Sequence, residues 1–359
     1  MNAVIALALL APAAPPGSAA PDVKETVCTG LKWLAAKQKA DGSWTNPNDS
    51  WPTQLTATAG LAFLMDGSTL KEGTYSAQLQ KAVAWMEKNA QESGLIGGKA
   101  QDQTLQYMSG HAQALLFLAC VYDVDDDQDR RKRVGKLLEK GVAFAAENQT
   151  GLGGWGSVRP AESRNYDDTY STATMLQGLL AARKVGIDVP KKATDRAIDY
   201  LVKATNRDGG VIYSIYGGVR PMGNDGQPMH TACAAAGLLM SEGARPEALA
   251  RWVKNAKTAT AGQMRFIRDY GAYGLLPLYE MARAAYALGE NGHRKLDPEA
   301  RDADLVRWSV YRADLFKALK GAQSKDGSWP DQNYGPAYTT ALALVILQLD
   351  NDYLPAFSR

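Results

Sequence analysis

Two acidic clusters in this chain could do proton chemistry. The first is Asn165-Tyr166-Asp167-Asp168-Thr169. A carboxyl that donates a proton must be neutral when it acts, and a second carboxylate beside it raises its pKa. Adjacent Asp167 and Asp168 meet that condition, and they equally suit the start of a helix, where aspartate accepts from free backbone N–H groups. The second cluster is Asp123-Val124-Asp125-Asp126, inside "DVDDDQD" and just before "RRKR". It reads as a solvated turn running into a helix N-terminus, which favours carboxylates. His230 and Cys233, at i and i+3, could share a metal with Asp167. A rim histidine and a buried cysteine are the plainer account, so no metal and no cofactor is expected. The chain has 3 histidines and 3 widely spaced cysteines with no CxxC pattern, which excludes a disulfide framework.

These residues must be held by something, and the chain is built on a repeat. "QKADGSW" at 38–44 returns as "QSKDGSW" at 323–329, and Gln149 to Trp155 is a third copy. With glycine as the marker, worn copies stand at Gly94 and Gly209, so the marks fall at 42, 94, 153, 209 and 327. The last interval is twice 59, and the outermost copies lie 285 residues apart, five periods of 57. That predicts six units, one of which has lost its motif near 262–271.

Each unit carries an amphipathic helix before the glycine and a more apolar one after it. The predicted pairs are 22–39 with 53–66, 75–91 with 102–122, and 128–148 with 167–185. Three more follow: 190–205 with 227–242, 245–258 with 268–289, and 302–322 with 336–350. The last segment, "AYTTALALVILQL", is apolar nearly all round and must be covered on both sides. An open stack would need polar end caps. The expected fold is therefore all-α, a single α6/α6 toroid (barrel) of six helical hairpins over 21–359. In the motif, glycine would stop the outer helix in a left-handed conformation, while tryptophan and glutamine would clasp neighbouring hairpins.

The motif and period resemble the prenyltransferase/squalene-oxidase repeat, the "QW" repeat of squalene and hopene cyclases, over roughly 22–359. The resemblance implies an α/α toroid of the terpenoid cyclase and protein prenyltransferase kind. It places Asp167 at the cyclases' proton donor and Asp168 at its partner, with Asn165 where the family has its first aspartate. Cys233 stands where the family has a histidine. The cyclases' site lies between two helical barrels, and this chain supplies one. The prenyltransferases' zinc motif, Asp-x-Cys, is absent from the chain.

Parallel inner helices would gather their N-termini at one mouth. Asp102, Tyr107, Tyr170, His230, Cys233, Tyr273 and Tyr338 are the ligand-binding candidates there. An aromatic mouth over an apolar wall suits a hydrophobic, isoprenoid-like small molecule in a central cavity, with acid-initiated cyclisation as the chemistry if the site turns over. Two alternatives stay open: a non-catalytic binding or structural toroid, and a carbohydrate-processing toroid. In the latter, Asp102 and Asp167 would form the carboxylate pair and tyrosines would stack on sugar rings.

With 40 Lys+Arg against 38 Asp+Glu and no basic block, a nucleic-acid partner is not expected. No transmembrane segment is predicted either, which leaves peripheral contact as the only membrane association to consider. Residues 1–20 hold a short apolar run, prolines and a Ser-Ala-Ala end that resembles a cleavage site. Read as a signal peptide they imply export to the periplasm or exterior; read otherwise, a cytoplasmic protein.

Overall fold

The computed structural model describes residues 22–97, 106–223, 225–241, 245–331, 333–354 and 356–357, leaving aside the side chains of Phe266, Tyr270, Ala272 and Tyr273. Asp102, the Tyr273 side chain and the segment 1–20 thus lie outside the described residues.

Six helices form an outer layer: α1 (Lys24–Ala36), α3 (Ser76–Asn89), α5 (Gln128–Glu147), α8 (Lys191–Lys203), α10 (Pro246–Ala261) and α13 (Trp308–Ala322). Six form an inner layer: α2 (Pro52–Met65), α4 (Tyr107–Val124), α7 (Thr169–Lys184), α9 (Pro228–Leu239), α11 (Ile267–Leu288) and α14 (Pro336–Leu347). Two short helices, α6 (Pro160–Ser163) and α12 (Gly292–Leu296), decorate the loops. Each inner helix packs on the next in chain order, and α14 packs back on α2, so the ring closes. This is the expected α6/α6 toroid. Every residue of α2 is buried, as a helix covered on both sides must be.

The inner helices run parallel. At one end Gln54, near the start of α2, donates to the Tyr338 hydroxyl in the first turn of α14 (2.8 Å). At the other, Gln348 donates to the Ala62 carbonyl (3.0 Å), and Asn351 to that of Met65 (2.9 Å). None of the helices among the described residues is long and apolar enough to cross a membrane.

The repeated motif is a clasp between neighbouring outer helices. The indole N–H groups of Trp44, Trp155 and Trp329 donate to Leu34, Ala145 and Leu319, carbonyls near the ends of their own outer helices (2.8, 2.8 and 2.9 Å). Gln38, Gln149 and Gln323 each bridge the motif glycine's carbonyl to an early carbonyl of the next outer helix: Gln78, Ala193 and Thr26. The backbone N–H of each tryptophan donates to a threonine of the inner helix, Thr56, Thr172 or Thr340 (3.0 Å each). The glycine's role differs from the expected one. Helix α1 ends at Ala36, six residues before Gly42. At φ +97°, a Cβ on Gly42 would sit 2.4 Å from the Lys81 carbonyl oxygen. Glycine is there for close approach to the next helix, not to end its own.

Among the described residues the fifth unit shows no Gln–Gly–Trp clasp. Only a 3-10 turn, Gln263–Phe266, separates α10 from α11, and α11 bends at Gly271 and carries Pro277.

Candidate functional site

The inner-helix N-termini form a mouth, and the aspartate pair sits at it, at the start of α7. Asp168 is the helix N-cap: its carboxylate accepts from the Ser171 N–H (2.7 Å) and hydroxyl (2.9 Å). Burial raises its pKa to about 6, against the pull of the Ser171 bonds. Asp167 is also buried, but its carboxylate is turned to the outer layer, accepting from Thr150 Oγ1 (2.5 Å) in the clasp and Tyr200 Oη (2.8 Å) on α8. Burial raises its pKa too, the two hydroxyl donors opposing. Asn165, beside the pair, accepts the Gly151 N–H through its side chain (3.2 Å).

The literal Asp-x-Asp-Asp cluster lies at the opposite end of the ring. Asp125 caps the C-terminal end of α4 and is buried against the Arg130 guanidinium. Asp127 N-caps α5, accepting from the Arg130 N–H (2.9 Å). Asp126 pairs with Lys71 in solvent. The helix start is as expected of it, but the turn is not solvated throughout, because Asp125 is buried in its pair with Arg130.

The remaining candidates divide among three neighbourhoods. Tyr170, Tyr338 and Gln54 share one network, with Gln54 Nε2 3.4 Å from Tyr170 Oη. Tyr107 spends its hydroxyl on the short helix α6, donating to Glu162 Oε2 (2.7 Å) and accepting from the Arg159 N–H (3.1 Å). His230 is buried beneath Tyr213, ring centroids 5.3 Å apart, with neither ring nitrogen hydrogen-bonded within the described protein. Burial lowers its pKa to about 4, so the ring is neutral at physiological pH. Cys233, a turn deeper, is buried 3.4 Å from Gln177 Nε2, and burial drives its pKa far up, so it is a thiol. Among the described residues, no group of three His, Cys, Asp or Glu side chains could hold a metal ion.

Two features escaped the sequence reading. Inside the ring, Arg283 of α11 donates to Gln177 Oε1 of α7 (2.5 Å) and to Glu280 Oε2 (3.1 Å), and Gln177 Nε2 donates to Glu280 Oε2 (3.1 Å). All three side chains are buried. The spacing of Glu280 and Arg283, i and i+3, was a legible signal for an ion pair. The second feature is a cavity of about 380 Å³ at the mouth, lined by Tyr166, Ile212, Tyr213, Ser214, Tyr216, Val219, Asp225 and Gln227. Its loop is fastened to α7: Thr169 N–H donates to the Tyr213 carbonyl (2.8 Å), and the Ser214 hydroxyl to that of Asp167 (2.7 Å). The start of α7 thus anchors the cavity wall from behind, through the Asp167 carbonyl and the Thr169 N–H. The unusual length of the 204–227 connection was the only sequence signal for it.

No protein-family profile matches the chain, and no curated protein matches it in sequence. Solved structures do match in fold. An α-1,6-mannanase from Salegentibacter sp. HEL1_6 superposes with TM-score 0.62 at 10% identity, covering 91% of this chain and 98% of that one. An unsaturated glucuronyl hydrolase from Bacillus sp. GL1 gives 0.61 at 11%, covering 91% and 96%. The type II terpene cyclase MstE from Scytonema gives 0.55 at 15%, covering 92% and 98%. At such identities the likeness is one of fold, and the chain is an α/α toroid of the architecture shared by these enzymes.

Proposed function

We propose that this toroid binds a carbohydrate at its N-terminal mouth. The observation that carries the reading is the wall of the 380 Å³ cavity, where Tyr166, Tyr213 and Tyr216 stand beside Ser214, Asp225 and Gln227. A sugar ring has an apolar C–H face and a polar edge. Tyrosine rings cover the first, and carboxylate, amide and hydroxyl groups bond the second. Tyr213 and Tyr216 are 45% and 36% exposed, which leaves ring surface for a ligand. The mannanase and the glucuronyl hydrolase supply precedent for sugar chemistry on this fold.

An isoprenoid in the ring centre is the second reading, and the terpene cyclase likeness favours it. Against it, the centre holds the Gln177–Glu280–Arg283 cluster. An apolar guest there would lie against buried charged and amide groups rather than an apolar wall. The reading is one of binding, with Asp225 the lining carboxylate placed to accept from sugar hydroxyls.

The test is titration of the purified protein with neutral and uronate-containing oligosaccharides, alongside extraction of bound lipid. Saccharide binding that Tyr213→Ala removes without lowering the melting midpoint is the expected result. A protein that binds no saccharide and carries a polyprenyl compound would establish the second reading.

A further inference from the structure

The aromatic surface does not stop at the cavity. Across the mouth, Trp51 lies against Tyr334, ring centroids 4.7 Å apart, and Tyr334 against Tyr338 at 5.8 Å. Tyr338 joins Tyr170 through Gln54, and Thr169, next to Tyr170, is bonded to the Tyr213 backbone. The mouth therefore carries two aromatic patches, Trp51–Tyr334–Tyr338 at the α14–α2 side and the cavity tyrosines at the other, joined through Gln54, Tyr170 and the Thr169 backbone.

Trp51 is held there at a cost. It stands in the left-handed region (φ +53°, ψ +39°), uncommon for a bulky side chain. The preceding loop imposes that conformation. Asn46 Oδ1 accepts the N–H groups of Asn48 (3.1 Å) and Ser50 (2.7 Å), and the Asp49 N–H donates to the Asn46 carbonyl (3.0 Å). The Tyr334 loop is pressed against this one: a Cβ on Gly335 would lie 2.7 Å from Pro47 Cδ. Backbone strain of this kind persists only where the surroundings over-determine it, and such positions cluster at ligand sites. Both rings stay partly exposed. A tryptophan serving only the core would be buried as Trp44, Trp155 and Trp329 are.

We infer that Trp51 and Tyr334 form a second stacking platform, so that the ligand is an extended oligosaccharide lying across the mouth rather than a single sugar. The inference rests on the carbohydrate reading above. In the ring order, α2 stands opposite α9, whose N-terminus borders the cavity. Inner helices spaced about 8–10 Å apart in a closed ring of six put opposite axes roughly 16–20 Å apart. One sugar unit cannot touch both platforms; a chain of several can. Engaging both at once makes the second contact intramolecular, which raises affinity steeply with chain length until the span is covered.

The experiment is calorimetric titration with oligosaccharides of one linkage and graded length, using wild-type protein, Trp51→Asn and Tyr334→Ala. Asparagine tolerates the left-handed conformation, so Trp51→Asn removes the ring while keeping the turn. Tyr334→Ala removes the other ring should the first variant fold poorly, and melting midpoints check both. The expected result is tighter binding with length in wild type, on the order of 100-fold between the shortest and longest members. Both variants should lose that gain and still bind the shortest member. Affinity flat with length, or a gain that survives in both variants, overturns the second platform and leaves the carbohydrate reading intact. If the wild type binds no member of a neutral or a uronate-containing series, the carbohydrate reading itself fails.

Discussion

The clasp layer and the mouth are made of the same kinds of residue, tryptophan or tyrosine beside side-chain amides, and they use them in opposite ways. In the clasps the tryptophans are buried and each indole N–H is spent on a carbonyl of its own hairpin. The glutamines are spent too, each bonding two carbonyls. At the mouth, Trp51, Tyr213 and Tyr216 keep ring surface in solvent. Residue type alone therefore does not separate scaffold from site. Satisfaction and exposure do: a group whose surface and hydrogen bonds are all used inside the fold has nothing left to offer a ligand.

Substitutions should separate the two regions by stability. Trp155→Ala leaves a large cavity under the clasp and orphans the Ala145 carbonyl; it should cost about 3–5 kcal/mol in denaturant unfolding. A loss under 1 kcal/mol would end the structural reading of the motif. Gly42→Ala forces a methyl toward the Lys81 carbonyl at positive φ and should cost about 1–3 kcal/mol. Tyr216→Ala, by contrast, should change stability by no more than about 0.5 kcal/mol while weakening saccharide binding.

The aspartate pair lies where the two regions meet, and pH sharpens the contrast there. Burial raises the folded pKa of Asp168 to about 6 from an ordinary 3.8. The folded state therefore binds this proton more tightly than the unfolded chain does. Its contribution to stability is fully present below about 4 and is lost as pH rises through about 6. Wild type should gain on the order of 2 kcal/mol relative to Asp168→Asn between pH 7 and pH 4. A difference between the two proteins that does not change with pH would mean that Asp168 is ionised and only a cap.

The fold was legible because its periodicities are long and redundant. The segment 75–91 became α3 at Ser76–Asn89, and 128–148 became α5 at Gln128–Glu147. The clearest miss of a boundary is α13, expected from 302 but starting at Trp308, because Asp302–Asp304 forms a separate 3-10 turn. The mouth was legible only in part. Asp167 and Asp168 have the residue types of an acid pair, but their partners, Tyr200 and Ser171, decide what the carboxylates do, and Tyr200 is 33 residues away. Trp51, Tyr213 and Tyr216 sit in connections, where no hydrophobic period marks which face a ring will take. Glu280 and Arg283 have the i, i+3 spacing of an ion pair, but nothing local marks the pair as buried, because its partner Gln177 lies 103 and 106 residues away.

The closure of the ring also governs how the chain must fold. The last clasp joins Gln323 to the Thr26 carbonyl, 297 positions apart, and α14 seals the open flank of α2. At about 5–20 residues per second, a ribosome needs roughly 15–60 s between exposing the first of these partners and the last. Throughout that interval α2, buried on every side in the closed ring, has no α14 to cover it. The nascent chain thus carries a helix open on one flank until its final hairpin emerges, which makes the seam between α14 and α2 the last and most aggregation-exposed part of the ring.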